Sequence, residues 1–132
     1  MTTEINAAAR DALAAVLKLS RERADLSQEQ IAAAVGVSKT AAHRYETAKQ
    51  RPPLAVIAGW AVACGLSARL RIGTGDPVAI GDEQAVRFAL DAARSTVGIE
   101  HAVPSSTAID LGSLVWLADA ADMQVWIVWG ES

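Results

Sequence analysis

A single cysteine, Cys64, stands in the 132 residues. One thiol excludes an intramolecular disulfide and every multi-cysteine zinc site, and it reads as a small core residue rather than a reactive group. Histidine is nearly as scarce: His43 and His101 are the two, widely separated and without metal-ligand spacing around them. A nucleophile with its base and oxyanion hole is therefore not legible, and the expectation is a protein with no enzymatic activity, no metal and no cofactor. Long apolar runs are missing as well. The longest, Leu54 to Leu66, falls short of the ~20 residues that span a bilayer. No basic-then-apolar stretch stands near Met1, so the expectation is a cytoplasmic protein without a membrane partner. Gly73-Thr74-Gly75 lacks the strand–Gly-loop–helix context of a phosphate cradle and counts as a turn.

What is present is an Ala-rich chain, 52% hydrophobic and 20% charged, which reads as folded and rich in helix. Its length suits one domain, or one compact domain with a sizeable appendage. The formal net charge of −3 conceals a division. Residues 1–75 hold ten Lys/Arg against six Asp/Glu, or +4; residues 76–132 hold two against nine, or −7. A basic patch confined to one part of a chain is the electrostatic footprint that a polyanion requires, and the acidic remainder would repel the same polyanion.

The basic part contains the most informative stretch, Leu26 to Glu46. Ser27 stands as a helix cap with Gln30 three residues on, the spacing of a capping box. Ile31 and Val35 fall on one helical face, and Gly36 follows where a left-handed residue would end the helix. Val37 is placed to plug the core between two helices, and Ser38 caps a second helix from Lys39 to about Thr47. Ala41, Ala42 and Tyr45 supply its inner side; Lys39, Thr40, His43 and Arg44 occupy much of the rest. Two short helices joined by a Gly turn, the second offering polar and basic side chains outward, form the geometry that lays a helix in the DNA major groove.

These residues resemble the lambda-repressor-like, or XRE, family of helix-turn-helix regulators. The resemblance runs from about Arg21 to Leu66, roughly a third of the chain. It rests on the Leu26-Ser27-Gln28-Glu29 entry, on Ala32 with Gly36-Val37-Ser38, and on Tyr45-Glu46 followed by Lys49, Arg51 and Pro52. It implies that Lys39, Thr40 and Arg44 read base edges, with His43 beside them. It also implies that Gln28 touches a phosphate and braces the recognition helix, and that Ser38, Lys49 and Arg51 meet the phosphate backbone. Self-cleaving relatives need a Ser/Lys pair on a β-rich domain, and no lysine follows Lys49 here. One position departs from the family: many members carry Gly where this chain has Ala48. A left-handed Ala costs about 1 kcal/mol, which leaves open whether the loop turns as theirs does.

Around this segment the periodicity gives a first helix from about Asn6 to Arg23 and a fourth from about Leu54 to Cys64, started by Pro52-Pro53. The four helices can bundle around Tyr45 and Trp60. Beyond Leu66 the period becomes alternating, with Ala68, Leu70 and Ile72 on one side and Arg69 and Arg71 on a solvated face. Val78 to Ile80 could return as a hairpin. Helices are expected over about Asp82–Ser95 and Thr107–Ala121, with Gly98 to Pro104 open between loop and strand and His101 as a surface or loop residue. An echo at an offset of 57 residues sets Leu54, Ile57, Leu70 and Gly73 on Leu111, Leu114, Ile127 and Gly130. It reads as two helix–strand units built by the same physics.

Met123 to Trp129 is the best strand candidate, and it is apolar on both faces. A strand of that kind left at an edge aggregates, so either the chain's own helices or another subunit must cover it. The four tryptophans read as packing residues rather than a ligand cage. The expected architecture is mostly α with a small β component. An N-terminal four-helix helix-turn-helix bundle, residues 1–67, is followed by an α+β dimerisation region, residues 68–132, with Val125, Trp126, Ile127, Val128 and Trp129 at the dimer interface. The expected activity is sequence-specific binding of double-stranded DNA at a pseudo-palindromic operator by a homodimeric repressor of the phage or plasmid type. The rival reading is an antitoxin that neutralises a basic toxin through its acidic C-terminal half and represses its own operon.

Overall fold

The computed structural model describes residues 2–96, 110–120 and 122–131. Among them the chain is mostly helical with one small antiparallel sheet. In order it forms β1 (Thr2–Glu4), a 3-10 turn (Ala7–Ala9), α1 (Arg10–Arg23), α2 (Gln28–Val35), α3 (Lys39–Glu46) and α4 (Leu54–Ala63). There follow β2 (Leu66–Ile72), β3 (Val78–Ala79), α5 (Glu83–Thr96), α6 (Leu111–Ala120) and β4 (Val125–Glu131). The expected loop or strand at Gly98–Pro104, the Ser caps before α6 and His101 lie outside the described residues.

Each helix boundary has a local cause. Helix α1 buries Leu13, Ala14, Leu17 and Ser20 along one stripe. It stops where Asp25 turns left-handed at φ 58° and the Leu26 N–H donates to the Arg21 carbonyl at 3.1 Å. That backbone closure satisfies one of the carbonyls a helix end leaves open. Helix α4 starts after Pro53 and buries Leu54, Val56, Ile57, Trp60 and Ala61. Trp60 is fully enclosed, and its indole N–H donates to the Leu17 carbonyl at 3.0 Å, tying α4 to α1. Asp82 receives the Ala85 N–H ahead of α5, and Asp110 receives the Ser113 N–H ahead of α6.

The sheet has the order β1-β4-β2-β3, with every neighbouring pair antiparallel. Its inner face carries Thr3, Ala68, Leu70, Ile72, Val125, Ile127 and Trp129, all buried. The Trp129 indole donates to the Thr3 hydroxyl at 2.9 Å, so the polar atoms on this face are matched to each other. One hydrophobic cluster joins this face to Leu17, Ile31, Tyr45 and Trp60 of the first helices and to Val86, Leu90, Leu114 and Leu117 of α5 and α6. The sheet draws β1 from the start of the chain and β2 from across the expected division at residue 67.

Two features go beyond the sequence reading. Strand β1 was not expected; three residues are too few to show a period. Strand β4 lies inside the sheet, paired with β1 on one edge and with β2 on the other. Of the five residues expected at a dimer interface, Val125, Ile127 and Trp129 are buried in the chain's own core, while Trp126 and Val128 stand half-buried on the opposite face. The cover that an apolar strand demands thus comes from the same chain. The 57-residue echo has a geometric counterpart. The α4–β2 and α6–β4 units set their strands side by side and antiparallel, with Leu70 directly opposite Ile127.

Candidate nucleic-acid interface

The capping box at the start of α2 is complete. The Ser27 hydroxyl accepts from the Gln30 N–H at 3.0 Å, and the Gln30 side-chain oxygen accepts from the Ser27 N–H at 2.8 Å. Gly36 ends the helix left-handed at φ 75°. Ser38 accepts the Ala41 N–H at 3.0 Å and so caps α3. Ile31, Ala32, Ala42 and Tyr45 turn inward, and half-buried Val37 packs against the core between the two helices. Inward apolar positions on both short helices fix which side of α3 is left for solvent.

That outer side carries Lys39, Thr40, His43 and Arg44, all exposed. Lys39 and His43 are one turn apart, as are Thr40 and Arg44, so the four make two adjacent rows running from the first turn of α3 into its last. Ser38 is exposed at the helix start, and Lys49 and Arg51 are exposed on the loop beyond it. Lys39 reaches back to Glu29 at 3.1 Å, a solvent-facing pair on α2. Such a pair is worth well under ~1 kcal/mol and yields readily to a competing anion. The Arg51 guanidinium approaches the start of α6. A Cβ on Gly112 at the start of α6 would lie 3.9 Å from its Nη1 and 3.2 Å from Asp110 Oδ1.

Behind the outer rows lies a polar brace. Glu46, the last residue of α3, is 2% exposed at its side chain and pairs with Arg21 of α1, which is 12% exposed. Arg21 donates from Nε to Glu46 Oε2 at 2.6 Å and from Nη2 to Oε1 at 2.9 Å, and its third branch donates to the Leu26 carbonyl at 2.8 Å. The carboxylate hydrogen bonds hold the Arg21 guanidinium above its usual pKa, against the opposing effect of burial. Gln28 joins the same acid: its amide nitrogen donates to Glu46 Oε1 at 3.3 Å and lies 3.4 Å from His43 Nδ1. The brace implied for Gln28 is thus a contact with α3 through Glu46 and His43. The Arg21–Glu46 pair was missed at the level of sequence because its partners are 25 positions apart and no local pattern links them.

The loop after α3 resolves the departure at Ala48. Its φ is 60°, so alanine takes the left-handed conformation that glycine adopts at lower cost. The Lys49 N–H donates to the Arg44 carbonyl at 3.0 Å, and the Gln50 N–H reaches the same oxygen at 3.3 Å. These bonds close the C-terminus of α3 and fix how Lys49 leaves it.

Residues 12–71 match the model of the helix-turn-helix domain family. No curated protein and no solved structure matches the chain. The matched helix-turn-helix segment takes in α1 from its third residue, the whole of α2, α3 and α4, and most of β2. It therefore contains the capped α2–α3 pair, the Arg21–Glu46 brace, every cation on α3 and the loop that follows. The match supports a DNA-binding family. Among the described residues no helix is long and apolar enough to cross a membrane, and no group of His, Cys, Asp and Glu is placed to hold a metal. Cys64 lies half-buried at the end of α4; burial pushes its thiol pKa up, and nearby Arg21 pulls partly the other way.

Proposed function

We propose that the chain is a sequence-specific DNA-binding transcriptional regulator of the XRE type, acting without catalysis as a homodimeric, cytoplasmic repressor. The observation that carries this reading is the outer face of α3, where Lys39, Thr40, His43 and Arg44 stand exposed on a helix held from behind by the Arg21–Glu46–Gln28 brace. In the major groove, Arg44 and Lys39 would donate to guanine edges, and Thr40 and His43 would complete the reading. Gln28, Ser38, Lys49 and Arg51 would hold phosphates, giving salt-sensitive affinity without sequence choice. Residues 1–67 would read DNA and residues 68–132 would assemble the dimer, placing two recognition helices on half-sites about 34 Å apart.

Fluorescence anisotropy with DNA from the protein's own upstream region, against a shuffled duplex across a salt series, tests this reading. Specific binding well above the shuffled control is the expected result. Equal weak binding to both would refute sequence reading. A second reading, the antitoxin, is favoured by one feature of the acidic half. Asp76, Asp82, Glu83, Asp110, Asp119 and Asp122 are exposed there, together with the apolar ring of Phe88. Co-purification of a small basic protein that DNA does not displace would select it.

A further inference from the structure

On the outer face of α3, Lys39 and Arg44 can only donate hydrogen bonds, whereas a neutral imidazole donates from one nitrogen and accepts at the other. Which nitrogen of His43 does which is set by what the ring meets on its protein side. There Nδ1 lies 3.4 Å from the amide group of Gln28. Glu46 decides which Gln28 atom that is. Its carboxylate already takes two Arg21 donors, at 2.6 and 2.9 Å, and can only accept. The Gln28 atom 3.3 Å from Glu46 Oε1 is therefore the amide nitrogen, and the same nitrogen faces His43 Nδ1. Its two hydrogens thus serve two acceptors. An Nδ1 that accepts carries no proton, so the proton of the neutral ring sits on Nε2.

The dictation runs outward, from the enclosed Arg21–Glu46 pair through half-buried Gln28 to exposed His43. Turning the Gln28 amide over would set its oxygen against a carboxylate oxygen and against the lone pair of Nδ1, so both contacts resist the reversal. In the major groove an Nε2–H finds acceptors at guanine N7 and O6, adenine N7 and thymine O4, but meets a donor at cytosine N4. Guanine offers two neighbouring acceptors and no competing donor, which makes it the best match. Cytosine sets donor against donor and is the worst. With both amide hydrogens of Gln28 engaged, a phosphate contact at this residue falls to its main-chain N–H in the first turn of α2.

We propose that Gln28, held by Glu46, is a positioning residue that fixes His43 as a hydrogen-bond donor at Nε2, and that His43 thereby selects guanine over cytosine on the strand it faces. The base contact rests on the DNA-binding reading above. The place of the proton is a property of the free protein and does not.

Long-range nitrogen–proton NMR of the full-length chain at alkaline pH, where imidazoles are neutral, reads the position of the proton directly. The parent is expected to carry it on Nε2 of His43 alone. Gln28→Glu sets an acceptor opposite Nδ1 and should move the proton there, with circular dichroism as the check on folding. Gln28→Lys keeps a donor at that place and should leave the proton on Nε2. A parent ring with its proton on Nδ1 or divided between the two nitrogens would overturn the proposal, as would a folded Gln28→Glu variant whose proton stays on Nε2. Selection from randomised duplexes reads the base contact. The parent should favour guanine over cytosine roughly 5- to 10-fold at one position, the worth of a single hydrogen bond, and His43→Ala should abolish that preference while leaving the one read by Arg44. A parent that selects its sequence but keeps every preference in His43→Ala would refute the base contact and leave the regulator reading standing. A parent that selects no sequence would refute the regulator reading and the base contact together, and the NMR result would still decide whether Gln28 sets the ring.

Discussion

Consider Glu46→Gln, which changes one oxygen of a carboxylate into an amide nitrogen and leaves the side-chain volume almost unchanged. In the parent, Glu46 accepts three hydrogen bonds: two from Arg21, at 2.6 and 2.9 Å, and one from Gln28 at 3.3 Å. Glutamine keeps one accepting oxygen and turns the other position into a donor that faces the guanidinium. A hydrogen bond to a charged group is worth about 1.5–3 kcal/mol, and breaking a buried pair from one side costs about 3–5 kcal/mol. Arg21 retains the Leu26 carbonyl and some access to water. The expected loss therefore lies at the lower end, about 2–3 kcal/mol. For a chain of this length that corresponds to a thermal midpoint lower by roughly 10 °C. Urea denaturation followed by circular dichroism measures it directly. Replacing both partners by apolar residues, Arg21→Met with Glu46→Leu, should recover most of the loss, because no charge is then left buried alone. A Glu46→Gln cost below about 1 kcal/mol, or strictly additive single and double variants, would refute the account of the brace. No pH in the ordinary range mimics the variant from the arginine side. Hydrogen bonds to Glu46 raise the folded pKa of Arg21 above its already strongly basic ordinary value, so its contribution is intact through the neutral range and is lost only as pH rises through the folded pKa.

Other perturbations probe the remaining parts of the site. Ala48→Gly should stabilise the protein by about 0.5–1 kcal/mol, the relief at φ 60° less the extra freedom glycine gives the unfolded chain; a destabilised variant in thermal melts would contradict the strain argument. Arg44→Ala should cost about 1–3 kcal/mol on the specific site and relax the preference for one base, read by selection from randomised duplexes. Lys49→Ala should weaken specific and shuffled DNA alike and reduce the slope of log K against log salt by about 1; an unchanged slope would count against a phosphate contact. Cys64 has its folded thiol pKa raised above 9.0, so as pH rises through that value the unfolded chain ionises first and stability falls. Cys64→Ala should flatten that alkaline decline in chemical denaturation.

The α2–α3 segment was legible because its signals are local. Caps, a glycine turn and helical periodicity act over three or four residues, so Ser27, Gln30, Gly36 and Ser38 announce their structure without help from the rest of the chain. The same locality marked the inner and outer sides of α3, and the alternation that turned Leu70 inward and Arg71 outward. Ala48 shows the limit. Its left-handed conformation opposes the preference of the residue, and it persists because the hydrogen bonds from Lys49 and Gln50 to the Arg44 carbonyl hold it there.

The sequence by itself determined the helix-turn-helix segment, the basic face of its second helix, the division of charge, and the need for something to cover an apolar terminal strand. Tertiary structure alone decided what does the covering. It put β4 between β1 and β2, buried Val125, Ile127 and Trp129 under the chain's own helices, and left Trp126 beside Arg71 on the outer face. It also brought Arg21 to Glu46 at the back of α3. Strand order and pairing between distant residues are collective outcomes of burying one core, whereas caps and periodicity are set within a single turn of chain.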